Sequence, residues 1–162
     1  TIVFIVASIT DQLDGYIARS RNQITNFGKF MDPLADKLLV TAALISLVEL
    51  HLIPSWAAVI IIAREFAVSG LRTVAASEGT VIAASWWGKI KTVTQIIAIL
   101  LLLLQVNIES IKALNSSFEA SAFLNNFFAY APKIALFIAI AMTIISGIDY
   151  FIKNKGAISS NK

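Results

Sequence analysis

The sequence predicts an all-α protein that crosses a membrane several times. Of its 162 residues, 57% are hydrophobic and only 14% are charged, and the mean hydropathy is +0.79. Soluble domains carry about 25% charged residues, so this composition is typical of a polytopic membrane protein. Several apolar stretches also reach the roughly 20 residues that a helix needs to span a bilayer core.

Five helices follow from the apolar runs and from the residues that interrupt them. In chain order, we predict them at about Ile2–Arg19, Phe30–Leu50, Pro54–Ala76, Gly88–Val106 and Pro132–Lys153. The third and fifth are placed to begin at a proline, because proline suits the first turn of a helix. The intervening segment Asn107–Ala131 mixes polar and apolar residues, which fits an amphipathic surface helix or a loop.

The domain organisation is simple. We predict one transmembrane catalytic domain over residues 1–153 and a polar tail over residues 154–162. The chain begins at Thr1 with an apolar run, so we expect a further segment to precede it. Cysteine is absent, which excludes disulfides and thiolate metal sites. The single histidine, His51, lies in a short polar break and is interpreted as a loop residue.

The basic residues predict which ends of the helices face the cytoplasm. If the five helices alternate in direction, most of the lysines and arginines fall on one side of the membrane. These are Arg19, Arg21, Lys29, Arg72, Lys89, Lys91, Lys153 and Lys155. By the positive-inside bias, that side is cytoplasmic.

Four aspartates stand out in the first two predicted helices: Asp11, Asp14, Asp32 and Asp36. A carboxylate at membrane depth costs roughly 2.5–3.5 kcal/mol, so each needs a compensating partner. Each pair is spaced by three or four residues and shares a helix face. Two antiparallel helices would bring all four carboxylates together, as hard oxygen ligands for Mg²⁺ or Mn²⁺, as one ion or two. The alternative is solvated helix ends with ordinary ion pairs, such as Asp36 with Lys37.

Small residues accompany the aspartates. Gly15, Ala18 and Gly28 leave backbone surface open to a flat or phosphorylated ligand, and Arg19 offers a forked cation that suits phosphate. The complete pattern is Asp11-x2-Asp14-Gly15-x2-Ala18-Arg19-x8-Gly28-x3-Asp32-x3-Asp36.

This pattern resembles the signature of the CDP-alcohol phosphotransferase family at all eight fixed positions. The resemblance implies a membrane enzyme of typically six transmembrane helices, usually a homodimer, that transfers a phosphatidyl or similar group from a CDP-linked donor to an alcohol and releases CMP. The five helices predicted here would be the last five, with the first missing before Thr1. The resemblance also assigns roles: metal ligands Asp11, Asp14, Asp32 and Asp36; nucleotide and diphosphate contacts Gly15, Ala18, Arg19 and Gly28. It makes Asp36 the general base as well.

The third helix carries charges that concern the acceptor alcohol. Arg64 and Arg72 are eight residues apart, about 80° around a helix, so both can face one cavity. With Lys89 and Lys91 at the start of the fourth helix, they predict an anion pocket, which suits a phosphate on the acceptor. The alternative is a structural pair such as Arg64 with Glu65, with the other cations as membrane flanks.

Four segments make the resemblance more specific: Gly28–Lys37, Ala63–Arg72, Ala83–Ser85 and Gly88–Thr92, with a weaker similarity at Ser146-Gly147-Ile148-Asp149-Tyr150. They are similar to the bacterial phosphatidylglycerophosphate synthases. This implies CDP-diacylglycerol as donor, sn-glycerol 3-phosphate held by Arg64, Arg72 and Lys89 as acceptor, and a bacterial cytoplasmic membrane with the active site facing the cytoplasm. Inositol phosphate or serine as acceptor stays open, as does a divalent-cation transporter that uses the aspartates as its pathway.

Overall fold

The structure is a computed structural model of the 162-residue chain. It describes residues 1–10, 26–77, 82–83, 85–114 and 122–154, without the side chains of residues 26–36, 77 and 122. Every regular element in these ranges is a helix, which confirms the all-α prediction for the described residues. We number the helices α1 (residues 2–10), α2 (Asn26–Glu49), α3 (Ser55–Ser77), α4 (Trp86–Leu114) and α5 (Ala122–Lys153).

The chain forms two compact units, Thr1–Ile53 and Pro54–Lys162. The first unit holds α1 and α2. Leu44 and Leu47 of α2 are fully buried. The last turn of α2 is closed by two backbone hydrogen bonds, from His51 N–H to Val48 C=O at 2.9 Å and from Leu52 N–H to Leu47 C=O at 3.0 Å.

This pattern is a Schellman cap, and His51 occupies its left-handed position with φ of 59°. The interpretation of His51 as a loop residue is therefore confirmed. Pro54 follows directly, and its carbonyl accepts the Ala57 N–H at 3.0 Å in the first turn of α3. The predicted start of this helix at Pro54 is thus correct to within one residue.

The second unit contains α3, α4 and α5. Helix α5 packs against both α4 and α3. Lys112 near the end of α4 contacts Asn125 near the start of α5, so these two helices run antiparallel. Alanines at the helix contacts, Ala57 and Ala139, are fully buried and let the backbones approach closely. Larger apolar side chains fill the remaining core: Ile61, Val68, Ile99, Leu102 and Ile140.

Two of the described helices are long and apolar enough to cross a membrane, Trp86–Leu114 and Phe123–Lys153. Only 17% and 28% of their most apolar stretches are buried, which differs from the core helix of a soluble protein. Large apolar side chains such as Ile97, Ile134 and Phe137 point outward and are exposed. Lipid tails would cover such a surface without an energetic penalty.

The interpretation of Asn107–Ala131 as a separate surface helix or loop is wrong for its described residues. Helix α4 continues to Leu114, and α5 already begins at Ala122. The polar side chains bond within the helix: Asn107 Nδ2 donates to Leu103 C=O at 3.0 Å, and Gln105 Nε2 donates to Glu109 Oε1 at 2.9 Å. The predicted helix start at Pro132 is wrong too, because Pro132 is buried inside α5.

Candidate functional site

Arg64 extends from α3 to the surfaces of two other helices. Its aliphatic stem lies against Gly147 of α5, where an added Cβ would stand 3.4 Å from Arg64 Cγ. Its Nη2 atom lies 3.8 Å from the position of a Cβ on Gly88, in the first turn of α4. Both neighbours are glycines, so the arginine passes close to two backbones. Its Nε atom is buried without a hydrogen-bond acceptor among the described residues.

Arg72 lies two turns further along α3 and is held by Tyr150 of α5. Its Nε donates a hydrogen bond to the Tyr150 hydroxyl at 2.9 Å, and its guanidinium carbon lies 5.3 Å from the centre of the tyrosine ring. Tyr150 is only 2% exposed, so its position is fixed by packing. The tyrosine occupies the Nε donor and leaves the two terminal nitrogens of Arg72 for another acceptor.

Both arginines reach α5 within one helical turn, Arg64 at Gly147 and Arg72 at Tyr150, so two positive charges converge on the same part of that helix. Like charges that converge are unfavourable unless an anion compensates them. The first turn of α4, at Gly88, adds the positive end of a helix dipole beside Arg64. This arrangement fits a phosphate or another small multivalent anion, as the spacing of the two arginines predicts.

Glu65 is the nearest described carboxylate. Its Oε1 lies 3.8 Å from Arg64 Nη1, a long distance for an ion pair. The same oxygen forms a direct ion pair with the Lys91 ammonium of α4. Lys91 is 1% exposed, and a buried cation is costly without such a partner. Glu65 therefore pairs primarily with Lys91, and its contact with Arg64 is secondary.

Lys89 lies next to Gly88 in the first turn of α4, but its side chain lies against Trp86. Its ammonium lies 5.8 Å from the centre of the Trp86 ring, and the side chain is exposed. The start of this helix is fixed by Ser85, whose hydroxyl accepts the Gly88 N–H at 3.1 Å in an N-cap. The assignment of Lys89 to an acceptor phosphate stays a prediction.

The predicted metal and nucleotide residues lie largely beyond what the structure describes. Asp11, Asp14, Gly15, Ala18 and Arg19 are outside the described residues. Gly28, Asp32 and Asp36 belong to α2, in a part where only the backbone is described, and the two aspartates are one helical turn apart. Among the side chains that are described, no group of three or more His, Asp or Glu residues could hold a metal ion. The metal site therefore stays a prediction.

Two contacts at the site were not predicted from the sequence. Tyr150 lies 78 residues from Arg72, so only the fold brings them together. Lys91 was placed with Lys89 in the predicted anion pocket, whereas it is buried and paired with Glu65. The available signals were the similarity of the segment Ser146–Tyr150 to known enzymes, and the position of Lys91 in apolar sequence.

Comparisons with known proteins identify the same family that the aspartate pattern resembles. The family model described as CDP-alcohol phosphatidyltransferase matches residues 1–151. The CDP-diacylglycerol--glycerol-3-phosphate 3-phosphatidyltransferase of Bacillus subtilis is 51% identical over 160 residues, covering 99% of this chain and 75% of the relative. The Haemophilus influenzae protein of the same name is 40% identical over 166 residues, covering 99% and 80%.

A probable phosphatidylglycerophosphate synthase of Mycobacterium tuberculosis is 38% identical over 148 residues, covering 91% of this chain and 62% of the relative. The family match and the alignments with the B. subtilis and H. influenzae proteins extend over nearly the whole sequence. The similarity is therefore not confined to the aspartate pattern. The chain belongs to the CDP-alcohol phosphatidyltransferase family.

Proposed function

We propose that this chain transfers the phosphatidyl group of CDP-diacylglycerol to sn-glycerol 3-phosphate, giving phosphatidylglycerophosphate and CMP. The observation that carries the proposal is the convergence of Arg64 and Arg72 on one turn of α5, where Gly147 and Tyr150 hold the two cations in place. The names of the similar proteins from B. subtilis and H. influenzae support the same donor and acceptor.

The acceptor's phosphate is the ligand that this pair suits best. Guanidinium groups bind phosphate oxygens with paired, charge-assisted hydrogen bonds. The terminal nitrogens of Arg72 are oriented by its hydrogen bond to Tyr150, and those of Arg64 by packing on Gly147. A phosphate held there leaves the 1-hydroxyl at the other end of glycerol 3-phosphate for reaction. A neutral acceptor such as serine would not compensate the two charges in this way.

The chemistry at the donor is assigned to the aspartate pattern. Asp36 takes the proton of the 1-hydroxyl, the resulting oxygen attacks the phosphorus that carries diacylglycerol, and the bond from this phosphorus to the CMP oxygen breaks. Asp11, Asp14 and Asp32, with Asp36 at the edge, would hold Mg²⁺ or Mn²⁺, and two ions suit this number of carboxylates. A bound metal would neutralise the diphosphate charge. Two carboxylate residues one turn apart on α2 are donors of the required type.

The remaining nucleotide contacts are assigned by the same pattern: Gly15, Ala18, Arg19 and Gly28. The glycines and the alanine would let the cytidine and diphosphate approach the backbone, and Arg19 would pair with a phosphate.

We also place the protein across the cytoplasmic membrane of a bacterium, with five spans in this chain and the active site facing the cytoplasm. Two candidate spans and the outward apolar faces of α4 and α5 support this placement. The basic residues near the predicted cytoplasmic helix ends support the orientation. A homodimer is the assembly expected from the family resemblance.

The proposal is tested by CMP release from purified protein in detergent, with CDP-diacylglycerol and Mg²⁺. Parallel reactions contain glycerol 3-phosphate, inositol phosphate, serine or no acceptor, each with and without EDTA, and Mn²⁺ replaces Mg²⁺ in a second series. We expect release only with glycerol 3-phosphate and none with EDTA. Equal release with serine would refute the role of the arginine pair. Metal flux into liposomes without any CMP release would favour the transporter instead.

A further inference from the structure

Glu65 presents a difficulty for a phosphate site at Arg64. It follows Arg64 directly in the sequence, and its carboxylate oxygen lies 3.8 Å from an Arg64 terminal nitrogen. A carboxylate that closed this gap would form the ordinary bidentate pair with the guanidinium. It would then occupy the same nitrogens that the acceptor's phosphate requires.

Lys91 competes with Arg64 for the same oxygen of Glu65. Its ammonium is in direct contact with Glu65 Oε1, and the lysine is buried, with only 1% of its surface exposed. Removal of the partner of a buried charge is strongly destabilising, so this pair is retained in preference to the longer contact. The pair also joins α3 to α4, whose backbones pack against α5 rather than against each other within the described residues.

Arg64 does not depend on Glu65 for its position. Its stem packs on Gly147, and one terminal nitrogen lies beside Gly88, so two backbones define the direction of the side chain. Its buried Nε has no acceptor among the described residues, so these residues leave part of the guanidinium's hydrogen-bonding capacity unused. The protein therefore holds Arg64 in place by packing while its nearest carboxylate is held by another cation.

From this geometry we propose that Lys91 is a positioning residue for acceptor binding: it holds the Glu65 carboxylate away from Arg64 and keeps that guanidinium available to the phosphate of the acceptor. The inference rests on the proposed function, because it assigns the acceptor's phosphate to Arg64. It predicts that loss of Lys91 weakens acceptor binding only while Glu65 keeps its charge. A purely structural role for Lys91 predicts weaker binding whether or not Glu65 is charged.

The test measures the dissociation constant of glycerol 3-phosphate by titration calorimetry on the purified full chain in detergent. The variants are Lys91→Met, Glu65→Gln and the double variant, with Lys133→Met as a control at an exposed lysine of α5. We expect Lys91→Met to weaken binding about tenfold, which corresponds to about 1.4 kcal/mol. Glu65→Gln, the double variant and the control are expected to bind within about threefold of the unmodified protein.

Unchanged binding by Lys91→Met would overturn the proposal. So would a double variant as weak as Lys91→Met, because Lys91 would then act through folding alone. If Lys91→Met does not yield a monodisperse protein, the double variant, which removes both charges of the pair, decides: a tenfold loss of affinity would overturn the proposal, and affinity within about threefold of the unmodified protein would uphold it.

The same titrations with inorganic phosphate separate this inference from the proposed acceptor. If the unmodified protein binds phosphate with the expected ranking of variants but does not bind glycerol 3-phosphate, the acceptor assignment fails and the role of Lys91 stands. If the unmodified protein binds neither ligand, both fail.

Discussion

Replacement of Tyr150 by phenylalanine removes one hydroxyl group and isolates its effect on Arg72. The hydrogen bond that is lost runs from Arg72 Nε to the hydroxyl at 2.9 Å. The ring stays, so its contact with the guanidinium at 5.3 Å is retained. Tyr150 is 2% exposed, and phenylalanine fills nearly the same volume, so no cavity forms and folding is expected to be preserved.

The size of the effect follows from the environment of the bond. A hydrogen bond to a charged group contributes about 1.5–3 kcal/mol. Arg72 is exposed, so water replaces part of the lost bond, and the lower end of that range applies. About 1.4 kcal/mol corresponds to a tenfold change in binding. Because the bond is also present in the free protein, its full energy sets an upper limit, and we expect Tyr150→Phe to raise the KM for glycerol 3-phosphate about three- to tenfold.

The assay is steady-state CMP release with each substrate varied in turn. The KM for CDP-diacylglycerol should stay within about twofold of the unmodified value, because Tyr150 orients the acceptor site alone. Tyr130→Phe is the matched control, since Tyr130 is 68% exposed on the same helix and lies about 30 Å away along its axis. An unchanged acceptor KM, or an equal loss for both substrates, would refute the positioning of Arg72 by Tyr150.

Three further substitutions probe the same site. Asp36→Asn is expected to keep metal binding by calorimetry and to lose at least about 100-fold in kcat, as for a missing general base; full turnover would contradict that role. Arg72→Ala is expected to raise the acceptor KM at least about tenfold while kcat changes little, and an unchanged KM would argue against the phosphate pocket. Gly147→Leu is expected to displace Arg64 and weaken glycerol 3-phosphate binding, whereas Gly70→Leu, where an added Cβ meets nothing within 4 Å, should bind normally. Equal losses in the two leucine variants, at equal thermal stability, would contradict this.

The helices were predictable from hydropathy and proline placement, but two of their ends were not. Asn107 and Glu109 were interpreted as parts of a break, yet their side chains bond within α4. Pro132 was interpreted as a helix start, yet it is packed inside α5. Local composition cannot distinguish these cases, because the partners that satisfy a polar side chain are set by the folded helix.

Part of the candidate site was also predictable from the sequence, and part was not. The shared direction of Arg64 and Arg72 follows from helical spacing within one segment, so the sequence was sufficient to predict it. The role of Tyr150 and the pairing of Lys91 with Glu65 depend on contacts between different helices. A single sequence contains no direct information on such distant contacts. The aspartate constellation rests on spacing and family resemblance, and its geometry stays a prediction.

The most direct test of the arginine pair is the preference for a phosphorylated acceptor over the same alcohol without phosphate. The measurement is kcat/KM for sn-glycerol 3-phosphate and for glycerol in the same CMP-release assay. Two charge-assisted contacts of about 1.5–3 kcal/mol each predict a preference of roughly 100- to 10,000-fold for glycerol 3-phosphate. A comparable kcat/KM for glycerol would show that Arg64 and Arg72 do not bind the acceptor's phosphate.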